Sequence, residues 1–315
     1  MNLAKTQYDY VDSVSWFVLI STVNKTKGKV KKTRREFLKK SAFIAAGAST
    51  LPLINLGCAA SKQASSKEIG VQLWSVRELL EQNFEEAIAK VAEIGFDYVE
   101  SFGLSPTGIF PGLITANQYE RTVASTGMRI ASSHSSYFQS EEAPIVIESA
   151  ERLGVDWAII AWLSEEHRSD YYTVAENLNA IGEQFKDAGI GFGYHNHDFE
   201  FIETEEGEIP LEILLENTDP ELVSFQADLY WVIKSGFDPL EVIQKYPGRF
   251  CSYHVKDANE ALEQTTVGTG IIDFASILAE NATTGIQYVF VEDERTEDPL
   301  LNIGNGLKFL RNLDY

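Results

Sequence analysis

The chain has 315 residues, with 26 Lys and Arg against 47 Asp and Glu and a formal net charge of −21. The imbalance is uneven: residues 1–58 hold 10 of the basic and 3 of the acidic side chains, which leaves residues 59–315 at −28. So acidic a surface repels phosphate backbones, argues against nucleic acid as a partner, and disfavours phosphorylated substrates outside a local basic pocket.

Taken in chain order, residues 1–58 read as an N-terminal extension that ends in a twin-arginine-type signal peptide. Thr33–Lys40 is TRREFLKK, an arginine pair with a hydrophobic residue two places on. Ser41–Leu56 is then uncharged, apolar and small. It is too short for a mature membrane span, which needs about 20 residues, and it fits the apolar region of an export signal. An unprocessed basic arm is the rival. Gly57-Cys58 is like a lipoprotein cleavage site, although Asn55 stands where such sites usually carry Leu. The expectation is an exported, periplasmic or membrane-anchored bacterial protein whose membrane contact is a lipid on Cys58. Cys251, the second of two cysteines, then has no disulfide partner, so the folded part depends on its own core. Residues 59–68, AASKQASSKE, read as a tether.

Residues 69–315 carry a repeat. Five times a helix-like run closes at a glycine and a β-rich run follows, at Gly95, Gly127, Gly154, Gly189 and Gly285. Glycine is favoured just past a helix end because it takes the left-handed conformation cheaply. Strands are predicted to start near 69, 97, 128, 156, 190, 223, 250 and 287. Asn83 to Glu86 and Thr115 to Gln118 carry helix-start signals between them. Eight strand–helix units in about 250 residues predict an α/β fold, a single-domain (β/α)8 TIM barrel. A doubly wound open sheet is the rival, but it normally shows a Gly-rich phosphate turn after its first strand. Here IGVQLW runs into Ser75-Val76-Arg77.

In a barrel, reactive side chains sit at strand C-termini. Four of the five histidines fall there: His134, His195, His197 and His254. The run Val223–Asp257 holds two strands with a helix between them, which puts Asp228 and His254 side by side at one rim. With Glu292 from the last strand they make two carboxylates and an imidazole. That set suits one divalent metal ion of the Mn, Mg, Co or Zn class and leaves positions open for substrate oxygens. The fourth ligand is expected from the preceding strand, where His195 and His197 share a face; His195 is preferred. Lys256 shares the face of His254 and reads as a proton donor or oxyanion partner, or else as a salt-bridge residue. Trp74, Tyr137, Trp162, Tyr230 and Trp231 are aromatics near the same rim, suited to the C–H faces of a sugar or to loop packing. Glu100, His134 and Arg295 are candidate hydroxyl or carbonyl contacts.

The segments GVQLWSVR, FDYVESFG, YHNHDFEF, DLYWVIKSG, HVKD, VGTGIIDF and YVFVEDE together resemble the xylose-isomerase-like barrel superfamily. That group includes sugar isomerases and epimerases, inosose dehydratases and endonuclease IV. The resemblance implies a TIM barrel and one divalent metal held by Glu, Asp, His and Glu from the last four strands. Asp228, His254 and Glu292 match the last three ligands. The first position departs, since His195 in a YHNH run stands where the epimerases have Glu; that run is closer to the inosose dehydratase type. Glu292, Lys256 and His197 are then the catalytic candidates.

Three readings follow. The first is a metal-dependent isomerase or epimerase of a non-phosphorylated sugar or keto-sugar, working through an enediolate. The second is a keto-sugar or keto-glycoside lyase or dehydratase with the same centre. The third, of another class, is a lipid-anchored barrel that binds sugar without catalysis. An endonuclease is disfavoured, because it needs a three-zinc cluster with more histidines and a basic face.

Overall fold

The structure, a computed structural model, describes residues 67–106 and 114–315. The export-type run, Cys58 and residues 59–66 of the expected tether lie outside the described residues. Among those described, no helix is long and apolar enough to cross a membrane.

Eight parallel strands close into a barrel. They are β1 (Gly70–Gln72), β2 (Tyr98–Leu104), β3 (Arg129–Ser136), β4 (Trp157–Trp162), β5 (Gly191–His195), β6 (Ser224–Asp228), β7 (Phe250–Val255) and β10 (Tyr288–Val291). A short antiparallel hairpin, β8 (Asp257–Ala258) with β9 (Gln264–Thr265), lies between β7 and β10. Every barrel strand begins within one residue of its predicted start. β10 pairs with both β7 and β1, which removes the open-sheet alternative.

Local chemistry explains the regularity. All five helix-terminating glycines sit at positive φ, from 69° at Gly154 to 102° at Gly95, where a Cβ would be strained. The Asn83 side chain accepts from Glu86 N, and Thr115 Oγ1 accepts from Gln118 N, both at 3.2 Å. Each supplies a partner for a backbone donor that the first turn leaves open. Amphipathic helices such as Phe84–Ile94 and Tyr171–Ala188 bury Ile88, Val91, Leu178 and Ile181 against the outer strand faces. This is the main hydrophobic layer, and it fixes the barrel around its polar interior.

The barrel floor is aromatic. Tyr98, Ala131 and Phe290 form a separate cluster, with Tyr288 packed against it. Gly70 makes the room: a Cβ there would stand 2.2 Å from the Tyr98 ring. Tyr98 Oη accepts from Val289 N at 3.0 Å, which ties floor to wall. Arg129, Asp156 and Tyr288 lie beside this floor. Arg129 Nη1 and Tyr288 Oη reach the same Asp156 oxygen at 3.0 and 2.6 Å.

Candidate active site

The site is built on register. Asp228 pairs directly with His254 across β6 and β7, and His254 pairs with Phe290 across β7 and β10. Glu292, two residues past Phe290, therefore shares its face at the C-terminal rim. The expected adjacency of Asp228 and His254 is thus met.

Asp228 and His254 are each held by partners that leave one atom over. Asp228 caps the helix Leu229–Lys234, with Oδ1 accepting from Tyr230 N and Trp231 N at 3.1 Å. Its own N–H donates to Asn196 Oδ1 at 3.1 Å. That leaves Oδ2 turned to the site. His254 Nε2 donates to Glu100 Oε1 at 2.5 Å, so Nδ1 faces Glu292 Oε2 at 2.6 Å. An imidazole fixed at one nitrogen by a carboxylate presents the other to a cation.

Asp228 Oδ2, His254 Nδ1 and Glu292 Oε2 are buried and make no well-formed hydrogen bond. One ligand atom from each of these three residues lies within 4.8 Å of the others. Lys256 Nζ stands 2.8 Å from Asp228 Oδ2 and 3.0 Å from Glu292 Oε2. These are ion contacts by distance, but the lone pairs are not satisfied in direction. Two carboxylate oxygens and an imidazole nitrogen, buried and converging, are the ligand types a divalent cation takes, with release of the Nδ1 proton, so the donor set fits one. At ordinary ionisation Glu100, Asp228, Glu292 and Glu294 face one ammonium, Lys256, and one imidazolium, His254. The excess negative charge again suits a divalent ion.

The charge states follow from these contacts. Burial opposes the Glu100 anion, yet His134 and His254 together hold it well below the usual carboxylate range. Burial likewise opposes the His254 cation, but Glu100 and Glu292 raise it to about 9. Lys256 is held well above its ordinary value by Asp228, Glu292 and Glu294, against the cost of burial. Burial is the main cause that pushes His195 and His197 well below the usual imidazole range; His254 adds to it for His195 and Lys256 for His197.

Beneath the rim lies a hydrogen-bonded layer that the sequence left unseen. Gln226 is its centre. Its Oε1 accepts from His134 Nε2 at 2.7 Å and His195 Nδ1 at 2.9 Å. Its Nε2 donates to Glu100 Oε2 at 2.9 Å and Ser252 Oγ at 3.0 Å. Gln72 and Ser132 complete the shell of Glu100 at 2.8 and 2.5 Å. Gln226 lies two residues before Asp228 on the same strand face, and that alternation was the one signal for it.

Three expected substrate contacts are engaged by other side chains. Glu100 is fully buried, with both oxygens engaged by this layer and by His254. His134 Nε2 is engaged by Gln226 and lies 3.0 Å from Glu100. Arg295 holds Asp293 through Nε and Nη2 and reaches Thr266 Oγ1 at 2.8 Å, bracing the strand end.

Of the remaining candidates, His195, His197, Trp162 and Trp231 gather. His195 Nε2 lies 3.7 Å from Asp228 Oδ2, although the tight cluster that includes His195 is the one with His134 and His254. His197 meets Trp162 edge-on at 5.2 Å, and the Trp231 ring is 5.7 Å away. Trp231 is 4% exposed, and its indole Nε1 is buried with no hydrogen-bond partner. Arg168, missed in the sequence, stacks over Phe199 and Trp162 at 3.5 and 4.5 Å. Trp74 packs edge-on against Phe102 at 5.0 Å. Tyr137 meets His167 at 4.6 Å, away from the carboxylates.

Comparison with known proteins agrees with this architecture. The profile of the family described as xylose isomerase-like TIM barrel matches residues 88–313. The crystal structure of a sugar phosphate isomerase/epimerase from Parabacteroides distasonis is 27% identical, with a TM-score of 0.70, over 82% of this chain and 98% of that one. An inosose dehydratase of Clostridium perfringens is 25% identical over 272 residues, which is 73% of this chain and 87% of the relative. The 3-keto-D-glucoside 4-epimerase of E. coli shares the fold, with a TM-score of 0.59 and 17% identity over 78% of this chain and 98% of that one. The chain belongs to the xylose isomerase-like TIM barrel family.

Proposed function

We propose that this barrel is a divalent-metal-dependent enzyme that enolises a non-phosphorylated keto-sugar or keto-cyclitol. The observation that carries the reading is the convergence of Asp228 Oδ2, His254 Nδ1 and Glu292 Oε2, three buried atoms of metal-ligating type that a cation would engage on loss of the Nδ1 proton. These residues would hold the cation, with His195 within reach through Asp228. The chemistry such a cation supplies is Lewis acidity toward a carbonyl and its neighbouring hydroxyl, which makes the α C–H acidic.

The chain's own groups do the rest. Glu100 and Gln226 fix the imidazoles in the orientation the site needs. His197, beside Trp162 and Trp231, is placed to accept the α-proton. The Lys256 ammonium offers a proton or a counter-charge to the oxygen opposite. The aromatic side chains exclude water and offer faces to the C–H surface of the ring.

An imidazole and an ammonium are unlike groups. That asymmetry favours loss of a β-hydroxyl over symmetric return of a proton, and the dehydratase relatives point the same way. Isomerase or epimerase action through the same enediolate is the second reading, supported by the Parabacteroides structure. The strongly acidic chain supports a neutral substrate.

The test is a screen of neutral sugars, inososes and 3-keto-glycosides in D2O with Mn2+, followed by NMR. Deuterium uptake or water loss, abolished in Lys256→Met and His197→Gln, is expected. Binding without exchange or product across the screen would contradict catalysis and favour a sugar-binding barrel. We also propose export with lipidation at Cys58; radiolabelled palmitate on the wild type but not on Cys58→Ser is the expected result.

A further inference from the structure

The metal reading leaves one arrangement unexplained. Lys256 is 1% exposed, and its Nζ lies 2.8 Å from Asp228 Oδ2 and 3.0 Å from Glu292 Oε2. Those are the two oxygens that a divalent ion would take. An ammonium so placed competes with the ion for the same lone pairs, and the two cations repel at close range.

A third carboxylate resolves the conflict. Glu294 Oε1 also contacts Lys256 Nζ. Its side chain is 21% exposed, against 0% for Asp228 and 3% for Glu292, so it lies on the outer side of the cluster. Glu294 is itself anchored: its N–H donates to Gln264 Oε1 at 2.8 Å, and its carbonyl accepts from Arg77 at 3.1 Å. It lies two residues past Glu292, and it takes no part in the metal trio.

We propose that Lys256 is a built-in counter-cation: it bridges Asp228 and Glu292 when no divalent ion is present, and Glu294 is the positioning residue that retains it when an ion binds. The inference rests on the metal reading above and goes beyond it. Without an ion, the lysine offsets the charge of two buried carboxylates, whose positions are fixed by their own backbone and helix-cap contacts. With an ion, the lysine gives up its contacts to Asp228 and Glu292 and keeps the one it already makes to Glu294. A purely structural salt bridge would behave in the opposite way, because removing Lys256 would splay the carboxylates and weaken any ion bound between them.

The experiment is Mn2+ affinity of the full chain by isothermal titration calorimetry, with thermal melting in EDTA. For Lys256→Met, Mn2+ affinity rises about tenfold, since a competing charge is gone, and the EDTA melting temperature falls. For Glu294→Gln, Mn2+ affinity drops several-fold, because the lysine has no other carboxylate to take it. Equal or weaker Mn2+ binding by Lys256→Met would overturn the proposal. So would unchanged or tighter binding by Glu294→Gln, which decides the matter alone if Lys256→Met does not fold. Absence of Mn2+ binding by the wild type would sink the metal reading itself, and this inference with it.

Discussion

Gln226 does at the residue scale what no charged group could do in its place. One amide accepts from two imidazoles and donates to a carboxylate and a hydroxyl. Gln226→Ala leaves a buried carboxylate and two imidazoles short of partners. A loss of about 3 kcal/mol in urea unfolding is expected, with metal affinity down about 10- to 100-fold. Trp231 is the converse case. Its buried Nε1 has no hydrogen-bond partner among the described residues, so Trp231→Phe should leave stability within about 1 kcal/mol of wild type. If the indole N–H serves a substrate oxygen, KM rises about tenfold; an unchanged KM would assign Trp231 to packing alone. Asp228, His254 and Glu292 were legible in the sequence because strand ends are countable and charged residues stand out there. Gln226 was not, since a neutral amide carries no such mark. The hydrogen-bonded partners of Glu100 and His134 were hidden for a related reason: strand pairing shifts around Glu100, which alternation alone does not reveal.

At the scale of elements, β1 depends on the absence of a side chain. Gly70→Ala sets a methyl group against the Tyr98 ring and the nearby Phe290. A cost of about 2 kcal/mol in chemical unfolding is expected. The turn after β5 contains a second test. Glu200 is fully buried and accepts from Tyr194 Oη at 2.5 Å and His197 N at 2.8 Å. Burial raises it to about 7 against those bonds. The folded state therefore keeps a proton that the unfolded chain releases at its ordinary value of 4.5. Its contribution to stability is full below that value and is lost as pH rises to about 7, a change of about 3 kcal/mol. Urea unfolding of wild type and Glu200→Gln at about pH 5 and about pH 8 should show it, as a fall in stability with pH that the variant lacks. Parallel pH profiles would contradict it. Helix ends and strand starts were readable here because glycines and caps act locally. The β8–β9 hairpin was not. It is held by the Asp257 carboxylate, which accepts from Gly268 N and Gly270 N at 2.9 Å, and such a contact across the loop leaves no periodic pattern.

The whole molecule is a polar site held in an apolar frame. Helices bury the outer faces of the strands, an aromatic cluster closes the floor, and the acidic centre stands at the C-terminal rim. The frame was legible from repeat length and glycine spacing, while the substrate was not, because ring shape and stereochemistry are read by contacts that no motif encodes. A cation bound only by the folded state adds stability by mass action, so EDTA should lower the melting temperature of protein loaded with metal. The most direct test of the account is divalent metal content. The full chain, incubated with Mn2+, Co2+ or Zn2+ and then gel-filtered, is analysed by mass spectrometry beside Asp228→Ala and His254→Ala. About one ion per chain in the wild type, lost in both variants, is the predicted result. A wild type that carries no ion, or variants that keep theirs, would contradict a metal centre at Asp228, His254 and Glu292.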